Sequence, residues 1–566
     1  MLGPLLMALP ALAGGGPANV LVVYNADDAD ATDVALHYRD ARSIPAGQLC
    51  PLTGIDPADD AISAEDYALL VLDPVEGCLE GLPQPDDVDY LVLVRGLPYR
   101  VDITGGYSVS LDMALQVYRA SPVIGSGQLA GSRQANSSGT WYASIDNPVL
   151  IASVGYEEDF DLSNAYMGWY VAASAVSRMT RLPDTFSRAD AGIASGYSFD
   201  GNLFVVGRLD GFDYEDARAL VDRAVAADGS YPTGTLLCME SADGARGARD
   251  PECELTTRLL ADAGFDAEWL SPHDSALSGR TLAAYYTGAA SIRDAIAGNT
   301  YAPGAMVDNL TSYGAVPQNF RCSEGGETCP ASESQTSIAR WVRAGATGVH
   351  GTVAEPLNNV FPNASALLLY TFGYNMGESW LFSTRFLYWQ STWLGDPLTT
   401  PWATRPTVSV PEVEIPEGEP LIVEAAHPDG IAELRLYVDG VRVEVASGDR
   451  MEAALGRVEG EVLEVLAVAV AEDVPVAREG WPAGEVSPAP AVQGWTTATV
   501  TVGPPLPQDT GTLDDTGGGT PPPTKGCACG GAPGGGAWPA LLPLLVLGLR
   551  RRARTPKQDR LRPEVE

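Results

Sequence analysis

Four histidines occur in the 566 residues, and one of them keeps company that suits acid–base chemistry. His350 lies in Gly345-Ala-Thr-Gly-Val-His-Gly-Thr-Val-Ala-Glu355-Pro356, a glycine-rich passage that reads as a tight strand-to-loop turn, with Glu355 close behind. An imidazole beside a carboxylate can take the proton of a hydroxyl, which is how serine or threonine becomes a nucleophile near neutral pH. Hydroxyls of that kind stand in Met306-Val-Asp-Asn-Leu-Thr-Ser-Tyr-Gly314. The candidate catalytic residues are therefore Asp308, Thr311, Ser312, His350 and Glu355. His37 on a predicted helix, His273 after a proline and His427 in a β-rich stretch read as surface or structural residues.

A thiol nucleophile is the other chemistry to weigh. Cys50, Cys78, Cys238, Cys253, Cys322 and Cys329 lie in the body of the chain, and Cys527 with Cys529 near its end. Pairing sequence neighbours gives the disulfides Cys50–Cys78, Cys238–Cys253 and Cys322–Cys329, the simplest of fifteen possible connectivities. Were all six paired, no thiolate would remain for catalysis. No Walker loop, His-Glu-x-x-His or paired Cys-x-x-Cys spacing appears, so no cofactor and no metal is expected. The acidic stretch Asp27 to Asp33 lacks the glycine and closing glutamate of an EF-hand and reads as a solvated helix start.

The elements that would position these residues alternate. Val20-Leu21-Val22-Val23-Tyr24 is a continuous apolar strand followed by a helix from Ala31 to Arg42, and a second strand runs from Tyr90 to Val94. Leu203 to Gly207 leads into a helix over Tyr214 to Ala226, Thr235 to Cys238 leads toward a helix over Thr256 to Ala263, and Ser337 to Ala344 is a further helix. Buried strands with helical crossovers predict a largely parallel α/β sheet over residues 19–402, with a possible subdomain boundary near 180–200 and ligands at the carboxyl ends of strands. From 405 to 503 the pattern turns to period-two alternation, with Leu434, Leu436 and Val438 facing one way and Glu433, Arg435 and Tyr437 the other. Asp439-Gly440 between two such runs is a hairpin signal, and the segment predicts an immunoglobulin-like sandwich.

Several of these passages resemble the gingipain family, cysteine peptidases of caspase-like fold followed by an immunoglobulin-like domain. Gly207-Arg208-Leu209-Asp210-Gly211 and its helix look like the family's Gly-Arg strand end, and Tyr285-Tyr-Thr-Gly-Ala-Ala-Ser291 looks like its histidine strand. Met306 to Gly314 falls where the family has its cysteine strand, and Leu394-Gly-Asp-Pro-Leu398 matches its closing Gly-Asp-Pro. The resemblance, from about Arg181 to Gly503, implies the fold. It does not supply the catalytic dyad, because Ala289 stands at the histidine position and Thr311, or Ser312 one residue on, at the cysteine position. The chain also looks like an uncharacterised family of exported bacterial proteins, on Val20 to Asn25, Leu91 to Pro98, Arg208 to Gly211, Leu310 to Gly314, Gly351 to Pro356 and Gly395 to Leu398. In such a fold Arg208, Asp210 and Asn309 would join the five catalytic candidates at neighbouring strand ends as ligand-binding residues. Two functions remain, a non-proteolytic binding or scaffold protein and a hydrolase built on Ser312, His350 and Glu355.

The ends of the chain speak to location. Met1–Ala13 is an apolar run closing on Ala-Leu-Ala, the shape of a secretory signal peptide, though no basic residue precedes it and the true start could lie upstream. Residues 504–525 are a Pro/Gly/Thr-rich spacer, and 526–566 hold Cys527, Cys529, the apolar run Ala537 to Leu549 and Arg550 to Arg552. This tail resembles the myxobacterial sorting signal MYXO-CTERM, which implies a short transmembrane segment, cleavage by a sorting protease and lipid attachment at Cys527 or Cys529. A retained membrane anchor is the other reading of the tail. Localisation at the cell envelope follows, at the outer membrane or cell surface after processing. A formal net charge of −38, from 73 acidic and 35 basic residues, excludes a nucleic-acid partner.

Overall fold

The computed structural model describes residues 14–103, 107–118, 132–135, 141–147, 152–156, 165–169, 203–316, 335–356, 358–472 and 492–506. The expected signal peptide, the boundary near 180–200, Cys322, Cys329, most of the spacer and the whole tail with Cys527 and Cys529 lie outside these residues.

The apolar runs become strands of one ten-stranded sheet. These are β1 (Val20–Asn25), β2 (Leu49–Leu52), β3 (Tyr90–Val94), β4 (Val205–Leu209), β5 (Thr235–Met239), β6 (Ala267–Leu270), β7 (Thr281–Thr287), β8 (Thr300–Asn309), β9 (Gly348–Thr352) and β10 (Ser391–Gly395). Their order is β6-β5-β7-β8-β9-β10-β4-β3-β1-β2. β1, β2, β3 and β4 pair in parallel, as do β5, β6, β7, β8 and β9, while β10 runs antiparallel to β9. Every residue of β1, β3, β4, β5 and β9 is buried, which is why β1 and β3 read as nearly continuous apolar runs rather than alternating ones, while β4 and β9 also bury the polar side chains of Arg208 and His350. The expected α/β class with a largely parallel sheet is what forms.

Local chemistry sets the helix ends. In α1 (Ala29–Arg42) the Asp28 carboxylate accepts the amides of Asp30 and Ala31, so the acidic stretch read as a helix start is one. Asp213 caps α2 (Tyr214–Ala227) in the same way, accepting from Asp216. Helix α3 (Asp250–Asp262) begins earlier than its predicted Thr256, because Pro251 sits in the first turn, where a missing N–H costs nothing. Helix α4 (Ile338–Ala344) closes on Gly345 at φ 115°, a left-handed position that glycine takes without strain.

The Gly-Asp-Pro passage has a structural task. Asp396, beyond the end of β10, accepts from Tyr38 (2.7 Å) and from Arg42 Nε (2.6 Å) of α1, and Arg42 also reaches Asp228 at 2.5 Å. Asp228 in turn holds Arg405 and the Thr400 amide. The network joins β10, α1 and the end of α2 in the interior.

Two small sheets make up the β-rich end of the described chain. Thr407–Ser409, Leu421–Ala426 and Arg450–Ala453 form one, and Glu414–Pro416, Gln493–Gly503, Val462–Ala471, Ile431–Val438 and Val441–Ser447 the other. Leu421, Val423, Leu434, Leu436, Val465 and Val500 fill the space between them, the expected sandwich core. Asp439 and Gly440 both have positive φ (52° and 79°), as a two-residue hairpin of this type requires. The opposite face departs from the simple alternation. Arg435 and Tyr437 are buried instead of solvated, because this face docks on the α/β body, where Tyr437 and Arg442 both bond Asp87.

Candidate functional site

His350 lies inside β9 rather than in a turn, in register with Asp308 of β8 on one side and Trp393 of β10 on the other. The glycines around it serve packing. A Cβ on Gly348 would stand 2.0 Å from the Met376 sulfur, and one on Gly351 2.6 Å from Ile338. The imidazole has no exposed surface, and its ring stands edge-on to Phe361 with centroids 5.1 Å apart. Its Nδ1 is 3.3 Å from Asp308 Oδ1, and its Nε2 has no hydrogen-bond partner among the described residues. Asp308 is held on its other oxygen by Arg249 at 2.7 Å, and the same guanidinium reaches the Thr287 and Asp308 carbonyls. Burial opposes the charge of Arg249, but Asp308 outweighs it and holds the guanidinium proton more firmly than usual. Sequence reading missed Arg249, which directly precedes the observed helix start at Asp250 but lay seven residues ahead of the predicted one.

The remaining candidates do not gather on His350. Thr311 hydrogen-bonds to Gln335, with Arg246 bridging both at 3.4 and 3.1 Å. The Ser312 hydroxyl donates to Glu355 at 2.8 Å on the surface. Neither hydroxyl is hydrogen-bonded to the imidazole. Asn309 spends its side chain on Ala289, accepting that residue's N–H at 2.9 Å and donating to its C=O at 3.0 Å. The position resembling the family's histidine is thus a buried alanine clamped through its backbone.

Arg208 and Asp210 form a separate cluster. Arg208 and Val349 flank Leu394 of β10 on opposite sides, which sets Arg208 roughly 10 Å from β9, two strand spacings. Arg208 bonds Asp112 (2.6 Å) and the carbonyls of Leu97 and Pro98. Asp210 takes Arg95 (2.7 Å) and Tyr99 (2.6 Å). Both are fully buried and engaged within the fold, so the expected convergence with His350 does not occur.

Of the expected disulfides, Cys50–Cys78 is present, with Cα atoms 5.7 Å apart. Cys238 and Cys253 are instead free and buried, a correction to the pairing read from sequence. Sequence proximity placed one mid-strand in β5 and the other on α3, where they meet as thiols. Burial and the neighbouring Cys253 push the Cys238 thiol well above its ordinary range, the opposite of what a nucleophilic cysteine needs. No group of three or more metal-ligating side chains occurs among the described residues.

Glu252 lies beside this buried cluster, accepting from Asn363 Nδ2 at 2.6 Å and from the Ala364 amide. Burial pushes its carboxyl up to about 8, against the pull of Arg249. Between the unfolded value, about 4.3, and 8 the folded state therefore binds the extra proton, and stability falls as pH rises through that window. Glu252→Gln is expected to flatten this slope by up to about 1.4 kcal/mol per pH unit, measured by urea denaturation at pH 5 to 8.5; an unchanged slope contradicts the assignment.

A cavity of 740 Å³ lies elsewhere, lined by Ser43, Gln48 and Gln84 of the α/β body and Tyr437, Glu464 and Leu466 of the sandwich. None of the sequence-predicted site residues lines it. Ser43 follows the C-terminus of α1 and Gln48 directly precedes β2, so the cavity lies beside the amino end of that strand and not at the carboxyl ends, where ligands were expected.

No protein-family model matches the sequence, and no curated protein is similar to it at a significant level. Among solved structures, the chain is similar to the Arg-specific cysteine proteinase gingipain R at 13% identity and a TM-score of 0.39, covering 87% of this chain and 100% of that one. It is also similar to a structure described as a protease (11% identity, TM-score 0.39, 86% and 98% covered). A complex of the pro- and mature domains of the Porphyromonas gingivalis enzyme matches at 12% identity and a TM-score of 0.35, with 85% and 100% covered.

Proposed function

We propose that the protein is an exported, envelope-anchored surface protein whose gingipain-like body binds or scaffolds and does not cleave peptides. The observation that carries this reading is the state of His350. A general base must reach the proton it abstracts, whereas this imidazole is sealed under Phe361 and directed at a carboxylate already paired with Arg249. Ala289 at the family's histidine position, with its backbone clamped by Asn309, supports the same reading. Export and anchoring are supported by the leader-like Met1–Ala13 and by the cysteine pair, apolar run and arginines of residues 526–566. The Cys50–Cys78 bridge suits an oxidising compartment. No helix among the described residues is long and apolar enough to cross a membrane, and the run Ala537 to Leu549 lies outside them.

One observation favours a hydrolase instead, the exposed Ser312–Glu355 hydrogen bond at the ends of β8 and β9. A carboxylate alone is a weak base for a serine hydroxyl, since their proton affinities are far apart. Incubating the folded protein with mixed peptide and ester libraries decides between the two. No hydrolysis is expected, and turnover abolished by Ser312→Ala would establish the hydrolase.

A further inference from the structure

The described chain opens on a segment that is buried from its first residue. Gly14 to Asn19 are all buried, and the glycines fit where nothing larger does. Gly15 has φ +41°, and a Cβ there would stand 2.5 Å from the Tyr90 ring and 2.6 Å from Leu398; one on Gly16 would stand 2.6 Å from the Gln493 side chain. The Gly14 N–H donates to Glu378 Oε1 at 2.8 Å.

Glu378 is 1% exposed and lies on the short helix Met376–Leu381. It also accepts from the Tyr90 hydroxyl (2.6 Å) and the Asn375 amide (3.2 Å), so every hydrogen bond it receives from the described residues comes from a neutral donor. Arg405 acts on it through space but bonds to Asp228 and to the carbonyls of Leu398 and Gln493. A carboxylate buried among neutral donors lacks the cation that would offset its desolvation. Burial accordingly pushes its carboxyl above the usual range.

The bond preceding Gly14 is the one at which the Ala-Leu-Ala sequence would be cut. We propose that hydrolysis of the Ala13–Gly14 bond supplies the missing cation, the new α-ammonium of Gly14 pairing with the Glu378 carboxylate and locking the mature amino terminus into the fold. The proposal rests on the export reading above. Water adds across the C–N bond: its oxygen goes to the Ala13 carbonyl carbon, which leaves as a carboxylate, and its two protons go to the Gly14 nitrogen, which with its own proton becomes an ammonium. The uncut chain, with a neutral amide at this point, is then the less stable form.

Thermal unfolding of three chains tests the lock, one beginning at Gly14, one at Ala13 and one at N-acetylated Gly14, each continuing to Glu566. The free Gly14 chain is expected to unfold several degrees above the other two, and Glu378→Gln is expected to erase the difference. Equal midpoints for all three overturn the lock, and should Glu378→Gln fail to fold, the acetylated chain alone decides. Mass spectrometry of the chain recovered from exporting cells separates the two premises. A Gly14 start with equal midpoints removes the lock and leaves export standing, whereas an uncut chain or another start removes the processing site, and the proposal with it.

Discussion

Asp308→Ala is expected to lower the unfolding free energy by about 3–5 kcal/mol, the cost of stripping one partner from a buried ion pair. The carboxylate has no exposed surface and binds Arg249 on one oxygen and His350 on the other. Without it the guanidinium keeps the carbonyls of Thr287 and residue 308 and the faces of the Tyr286 and Phe361 rings, contacts that do not neutralise a charge. Chemical denaturation measures the loss. An Arg249→Met, Asp308→Leu double variant should recover much of it, because replacing both partners removes the unpaired charge as well as the attraction. A loss below about 1 kcal/mol, the range of exposed pairs, would mean that water reaches Asp308 and that the cluster is open.

Arg42→Ala is expected to cost a similar amount, about 3–5 kcal/mol, through the network around the Gly-Asp-Pro passage. Arg42 is 2% exposed and answers two carboxylates, Asp396 and Asp228. Asp396 would be left with only the Tyr38 hydroxyl and the Leu398 amide, while Asp228 keeps Arg405. The pH dependence gives a second readout. Burial would raise the Asp228 carboxyl, but Arg405 and Arg42 outweigh it and hold it below the usual range. A depressed carboxylate contributes stability that is complete above its unfolded value, about 3.9, and is lost as pH falls through the folded value below that. The variant should therefore lose less stability than the parent on acidification below pH ~4. An acid limb of unchanged steepness in the variant would contradict the role given to Arg42.

The strands were legible because burial on both faces writes itself as continuous apolar runs, as in Val20 to Tyr24 and Tyr90 to Val94. The hairpin at Asp439-Gly440 was legible because positive φ restricts residue choice. Side-chain partnership was not. Nothing in the sequence near His350 signals that Arg249, distant in the chain, would claim Asp308 from an adjoining helix start. Glycines 348 and 351 read as a turn because a glycine's need for space and its need for φ look alike in sequence; here Met376 and Ile338 occupy the room a side chain would take. Arg208 and Asp210 looked like site residues on their resemblance to a strand end, yet Asp112, Arg95 and Tyr99 absorb their charge. Alternation set Arg435 and Tyr437 on the face opposite Leu434 and Leu436 but cannot tell water from a docked domain, and that face is buried.

The proposed binding or scaffold role requires that no base and hydroxyl act together in the α/β body. Turnover of mixed peptide and ester libraries by the folded parent chain, beside His350→Ala and Ser312→Ala, tests it most directly. The account predicts no turnover in any of the three. Hydrolysis by the parent that disappears in His350→Ala would contradict it and make the sealed imidazole a catalytic base.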